Sequence, residues 1–216
     1  MSSPVDRRTR KRLATRQAIA DAATQLFDVR DFDQVTVDEI AAAADVGRMS
    51  VFNHFARKED LFFDLYAAGR ADLRACLHDR DPKIAPVEAL RQFAHHAIAT
   101  QQPYLRFFDG SARFIQTITQ SQALMARARA IRDELATMVQ QGLAETAGQA
   151  LDDPMAHLAA QLLVTSWAVA FIQAHHTVRQ TADAAAAERT FLTLVDQDSA
   201  GVNAAVQGTP YADLTN

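Results

Sequence analysis

Apolar positions in the first quarter of the chain recur at steps of three and four. Leu13, Ile19, Ala22, Ala23, Leu26 and Phe27 form one stripe of a helix. Asp31-Phe32-Asp33 breaks that stripe. Thr36, followed three residues later by Glu39, has the arrangement of a capping box, which starts a second helix with Val37 and Ile40. Asp45-Val46-Gly47 supplies turn residues after Ala44, and the apolar pattern resumes at Val51, Phe52 and Phe55. The prediction is helix, three-residue turn, helix. A fourth helix is predicted from Lys58-Glu59-Asp60 through Leu61, Phe62, Leu65, Tyr66, Leu73 and Cys76, ending before Asp81-Pro82. Beyond Pro82 there is no strand-like alternation, and helices are expected over 86–100, 103–109, 112–119, 122–147, 154–178 and 182–198. The chain therefore reads as all-α. Residues 207–216 hold Gly208, Pro210 and few core formers, and are expected to form a loose tail.

Two helices joined by a turn of three or four residues form the helix-turn-helix, whose second helix fits the DNA major groove. Corners of this kind are common in helical proteins, so the residues matter more than the geometry. The run Thr36-Val37-Asp38-Glu39-Ile40-Ala41-Ala42-Ala43-Ala44-Asp45-Val46, then Val51-Phe52-Asn53-His54-Phe55-Ala56-Arg57-Lys58-Glu59-Asp60-Leu61, resembles the N-terminal domain of the TetR family of bacterial transcriptional regulators. The upstream helix fits the same resemblance, which covers roughly residues 10–65. The chain departs from the family pattern at Asp31 and Asp45, where glycine is usual, at Gly47, where serine usually caps the recognition helix, and at Phe52, often a tyrosine that touches phosphate. Asp tolerates left-handed backbone better than most residues with a Cβ, and Gly is an acceptable N-cap. Phe52 is left either to pack on a sugar or to join the core.

The resemblance implies DNA contacts from the recognition helix and its surroundings. Arg48, one residue past the cap, can bond guanine O6 and N7 together, and Asn53 can serve adenine. Met49 and Ser50 offer apolar and hydroxyl contact, His54 and Lys58 are expected at phosphates, and Thr36 and Gly47 cap the two helices with Arg16 nearby. For each residue taken singly, an ordinary exposed polar group is the bland alternative; Ile40, Val46, Val51 and Phe55 are assigned to the core. Residues 1–16 hold six basic side chains, Arg7, Arg8, Arg10, Lys11, Arg12 and Arg16, against Asp6 alone. Beside a helix-turn-helix, such a run is expected to be a flexible arm that follows phosphates or enters the minor groove.

Composition alone points elsewhere. The 216 residues carry a formal net charge of −4, which by itself speaks against a protein that coats nucleic acid. That total averages the basic N-terminus with an acidic remainder: residues 17–60 hold four basic and nine acidic side chains. The expected outcome is weak non-specific affinity and specific binding only as a dimer. The single cysteine, Cys76, fits a reducing compartment, and with no apolar stretch after the charged N-terminus, a cytoplasmic location is expected. The uncharged run 154–178 is long enough to span a bilayer but carries Gln161, Gln173, His157, His175 and His176, so a helix covered by other helices is the better reading.

The division expected is a basic arm and DNA-binding domain over 1–57, a helical ligand-binding and dimerisation domain over 58–206, and the tail over 207–216. The 154–178 helix is apolar on two faces, Leu158, Leu162, Thr165, Val169 and Ile172 on one, Leu163, Trp167, Phe171 and Ala174 on the other. A second copy of the chain is its simplest cover, with Ala187, Phe191, Leu194 and Val195 of the 182–198 helix completing a four-helix interface. His96, Tyr104, Phe107, Phe108, Phe114, Met125 and Trp167 are candidates for lining an effector pocket, although aromatic residues at helical spacing more often fill a core. No metal site, P-loop or nucleophile elbow is present, and no cofactor is expected. The reading is a ligand-responsive repressor, not an enzyme, that binds a palindromic operator as a homodimer. The alternatives are an all-helical carrier or enzyme, and a nucleoid-type binder without a ligand.

Overall fold

A computed structural model describes the backbone of residues 4–108 and 112–212 and the side chains of 7–108 and 113–212. Among these residues the regular elements are helices: α1 Pro4–Val29, α2 Val37–Ala43, α3 Arg48–His54, α4 Glu59–Phe62, α5 Tyr66–His78, α6 Pro86–Ala99, α7 Ala112–Gln120, α8 Gln122–Thr146, α9 Pro154–Thr181 and α10 Ala184–Ala205, with 3-10 turns at Phe32–Gln34 and Pro103–Leu105. The chain divides into two units. The smaller comprises Met1–Asp64 with Thr119–Leu124, the larger Leu65–Ile118 with Met125–Asn216.

In the smaller unit α1 buries Ile19, Ala22, Ala23 and Phe27 against Phe32, Ile40, Val51, Phe55 and Leu61. Phe27, Phe32 and Phe62 pack as a triangle with ring centroids 5.0–6.0 Å apart. Ser121 is buried and donates to Asp33 Oδ1 at 2.8 Å, which ties the Thr119–Leu124 segment into this unit. The basic run is not a flexible arm. It forms the first turns of α1, because Pro4 suits a helix start and Arg, Lys, Leu and Ala are strong helix formers with no breaker among them. Residues 4–15 thus extend about 18 Å as helix, at about 1.5 Å per residue.

In the larger unit α9 and α10 form an antiparallel pair. Ala170, Ala174 and Val178 meet Ala187, Phe191 and Val195, with Ala94, Ile98 and Phe107 closing the cluster. A second cluster joins Leu73, Leu77, Val87, Leu90, Leu143 and Leu163. Gly142 admits Leu77 so closely that a Cβ there would lie 2.8 Å from its Cδ1. By length and composition α9 could span a membrane, but its small side chains are packed within this unit.

Four expectations are corrected. The helix predicted from Lys58 is interrupted at 63–65, where Phe63 leaves helical geometry (φ −101°, ψ 38°), so α4 and α5 are separate. The segment 103–109 makes only one 3-10 turn, with Arg106 already extended; Asp109 lies outside the described residues. The tail is anchored as far as Ala212. Val206 and Tyr211 are almost wholly buried, and the Tyr211 hydroxyl donates to Asp153 Oδ1 at 3.1 Å; residues 213–216 lie outside the described set. Ala187, Phe191 and Val195 are covered inside their own unit and present no face to a second chain, although Leu194 stays half-buried.

Candidate nucleic-acid interface

The helix-turn-helix is held by local chemistry. The Thr36 hydroxyl accepts from Glu39 N–H at 3.2 Å and donates to Glu39 Oε2 at 2.8 Å, and the Thr36 N–H donates to the same oxygen at 2.8 Å. Arg30 adds a bond to Glu39 Oε1 at 2.6 Å and holds its carboxyl, with the Thr36 bonds, down at about 2. At the other end of α2, Asp45 adopts φ 52°. Val46 N–H bonds Ala41 C=O at 3.0 Å and Asp45 N–H bonds Ala42 C=O at 3.2 Å, the paired bonds of a Schellman motif with Asp in the position usually held by Gly. Asp31, by contrast, is extended (φ −60°, ψ 136°), so no left-handed residue is needed there. Gly47 caps α3 with extended backbone and no side-chain bond.

Val51 and Phe55 anchor α3 in the core, which leaves its other side outward. Met49 is 70% exposed, and Arg48, Phe52 and Asn53 are exposed beside it, with Ser50 half-buried. Phe52 is therefore a surface residue. Arg48 Nη1 donates to Asp38 Oδ2 at 2.6 Å, and its guanidinium lies 5.6 Å from the Phe52 ring centroid. Burial, then the charges of Arg12 and Arg16, lower the pKa of His54 at the end of α3.

Two expected contacts serve the fold instead. Lys58 Nζ donates to the carbonyls of Phe32 at 2.8 Å and Val35 at 3.0 Å and sits 4.1 Å from the Phe32 ring centroid. Its ammonium satisfies a turn and is not turned to solvent for a phosphate. Arg16 lies 4.1 Å from the Phe55 ring centroid and donates to the Asp64 carbonyl at 3.1 Å. Thr36 is likewise engaged through both donor and acceptor. Reading the sequence missed Asp38, whose partner stands ten residues away across the turn.

The residues expected to line a pocket are only partly brought together. Phe107 is buried against Phe171, His175 and Phe191, and Phe114 stacks on His175 at 5.9 Å. Trp167 lies parallel to Phe93 at 6.3 Å and edge-on to Phe191 at 6.5 Å, with Nε1 buried and without a hydrogen-bond partner. Tyr104 stands apart: its ring covers Gly69 and its hydroxyl donates to Asp72 Oδ2 at 2.8 Å. His96 and Phe108 are exposed, and Met125 is half-buried. A surface groove of about 510 Å³ on α5 and α8, bordered by Arg70, Asp133, Glu134 and Met138, includes none of these residues. Cys76 bonds the Ala89 carbonyl, and burial pushes its thiol up to about 11, away from reactive thiolate chemistry.

The family model described as bacterial regulatory proteins, tetR family, matches residues 19–65. Over 82 residues the chain is 34% identical to MftR of Mycobacterium tuberculosis, described as a mycofactocin biosynthesis transcriptional regulator, covering 38% of this chain and 41% of that one. Over 86 residues it is 30% identical to the HTH-type transcriptional regulator AcrR of Shigella flexneri, covering 39% and 40%. The matched region thus spans about two fifths of these relatives. The fold is like that of SmeT in its triclosan complex, with TM-score 0.57 and 18% identity over 87% of this chain and 91% of that one.

Proposed function

We propose that the chain, which matches the tetR family of bacterial regulatory proteins over residues 19–65, is a ligand-responsive repressor that binds a palindromic operator as a homodimer. The relatives it matches are transcriptional regulators, not enzymes. The observation that carries the reading is α3 itself: one side is locked in the core by Val51 and Phe55, while Arg48, Met49, Phe52 and Asn53 stand exposed together on the other. An exposed helix face with one guanidinium, one amide and two apolar groups has the donors and surfaces that base edges in a major groove accept. The basic first turns of α1, with Arg7, Arg8, Arg10, Lys11 and Arg12, add cations that can meet phosphates.

Dimerisation is assigned to α9. Leu158, Leu162, Val169 and Ile172 remain 37–49% exposed at heptad-like spacing, while the opposite side of the same helix is buried. A second copy applied through a two-fold axis covers this stripe and sets two recognition helices on two half-sites. The effector is assigned to the larger unit, supported by the cluster around Phe107, Phe171 and Trp167. There the unpartnered indole N–H favours a mainly apolar compound that brings one hydrogen-bond acceptor. SmeT, similar in fold, is solved with triclosan. The cytosol is the compartment in which this chemistry meets DNA.

Titrating the full-length chain onto duplexes from its own promoter region, by fluorescence anisotropy between about 50 and 200 mM salt, tests the reading. A regulator loses affinity steeply over that interval, because each phosphate neutralised by a basic side chain releases counterions. Salt-independent binding, or none at 50 mM, overturns it.

A further inference from the structure

The Arg48–Asp38 pair is out of place on a surface meant for a polyanion. Asp38 sits in the first turn of α2 and Arg48 is the first residue of α3, so both head the face that the proposed function assigns to DNA. Their side chains are 63% and 58% exposed, yet Nη1 and Oδ2 are 2.6 Å apart. An ion pair this open adds little to folding stability. Its effect falls on whatever approaches that face. The carboxylate repels phosphate and neutralises the one cation that α3 presents at its start. At the same time it holds Nη1 of the guanidinium, and the Phe52 ring centroid lies 5.6 Å from the guanidinium carbon.

We propose that Asp38 is a specificity-determining residue of the operator interface: it holds Arg48 oriented for a guanine edge and penalises binding that relies on phosphates alone. The inference rests on the DNA-binding reading and goes beyond it. On random duplex the carboxylate repels phosphate and keeps Arg48 engaged, so the complex is weak. On the operator Arg48 donates to guanine O6 and N7, and the Asp38 oxygen not bonded to Arg48 can accept from a neighbouring cytosine amine. The low cation count of residues 17–60 fits a domain that discriminates by suppressing non-specific affinity.

Selection of bound duplexes from a randomised pool, with full-length wild type, Asp38→Asn and Asp38→Glu, followed by anisotropy titrations against the selected and a scrambled duplex, tests this. Asn removes the charge at nearly equal size, and Glu restores it. Asp38→Asn is expected to tighten binding to the scrambled duplex, to lower the operator-to-scrambled ratio at least fivefold, and to steepen the salt slope by about one unit as Arg48 becomes free to meet a phosphate. The position enriched in guanine by wild type should become degenerate, and Asp38→Glu should recover most of the slope. An unchanged ratio and slope for Asp38→Asn overturns the proposal. So does an equal loss on both duplexes accompanied by a lower melting temperature, which would make Asp38 a structural residue only. Wild type that retains no duplex at 50 mM salt defeats the DNA-binding reading itself, and this inference with it.

Discussion

Lys58 separates a residue's chemistry from its place in the fold. From its position after α3 it is a natural phosphate ligand, yet its three donors point inward at two turn carbonyls and an aromatic face. Replacing it with Met should leave those carbonyls short of a donor and lower stability by about 1–3 kcal/mol in chemical denaturation. The salt slope of DNA binding should not change. A slope shallower by one unit with unaltered stability would return Lys58 to the phosphate backbone. Glu39 gives a second residue-scale test. Its folded pKa of about 2 lies below the ordinary 4.5, so its contribution is complete above pH 4.5 and is lost as pH falls from 4.5 towards 2. The difference in urea midpoint between wild type and Glu39→Gln should therefore be largest near neutral pH and vanish towards pH 2; a constant difference contradicts the capping-box assignment. Such bonds were legible in the sequence because both partners lie within one turn. The partners of Lys58 lie 23 and 26 residues upstream, and the Arg48–Asp38 pair spans a corner, so neither could be read from local spacing.

At the scale of elements, periodicity located helices well and oriented them less well. The stripe Leu158, Leu162, Val169 and Ile172 was readable as one face of α9, because a helix apolar on two sides must divide them between two coverings. The face of α10 was not, since Ala187, Phe191 and Val195 suit an intra-unit or an inter-chain contact equally and only packing decides. The N-terminal basic run differs from the expected arm for another reason: its charge suits an arm, while helix propensity and the absence of breakers favour continuation of α1. Likewise the tail's glycine and proline hid an anchor, Tyr211, whose hydroxyl donates to Asp153, 58 residues earlier. The exposed stripe makes a direct prediction. Leu162→Glu should convert the protein from dimer to monomer in sedimentation velocity while its helical circular dichroism is retained. Persistence of the dimer would remove α9 from the interface.

For the whole molecule, a net charge of −4 and a DNA-binding role are compatible because the charge is unevenly placed. Basic side chains collect on the first turns of α1, around His54 and at the start of α3, while the rest of the smaller unit is acidic. If two copies engage two half-sites, as proposed, affinity should fall sharply on a duplex carrying only one, since a single half-site supplies few phosphate contacts.

If the exposed face of α3 reads base edges, Arg48→Ala should strip the operator of its preference. Anisotropy titrations of wild type and Arg48→Ala against the selected operator and a scrambled duplex, at one salt concentration, compare the two ratios. Arg48→Ala should weaken operator binding by about tenfold or more, in line with about 1–3 kcal/mol for one bidentate base contact, while scrambled duplex is bound nearly as before. Operator binding as tight as wild type would contradict that readout.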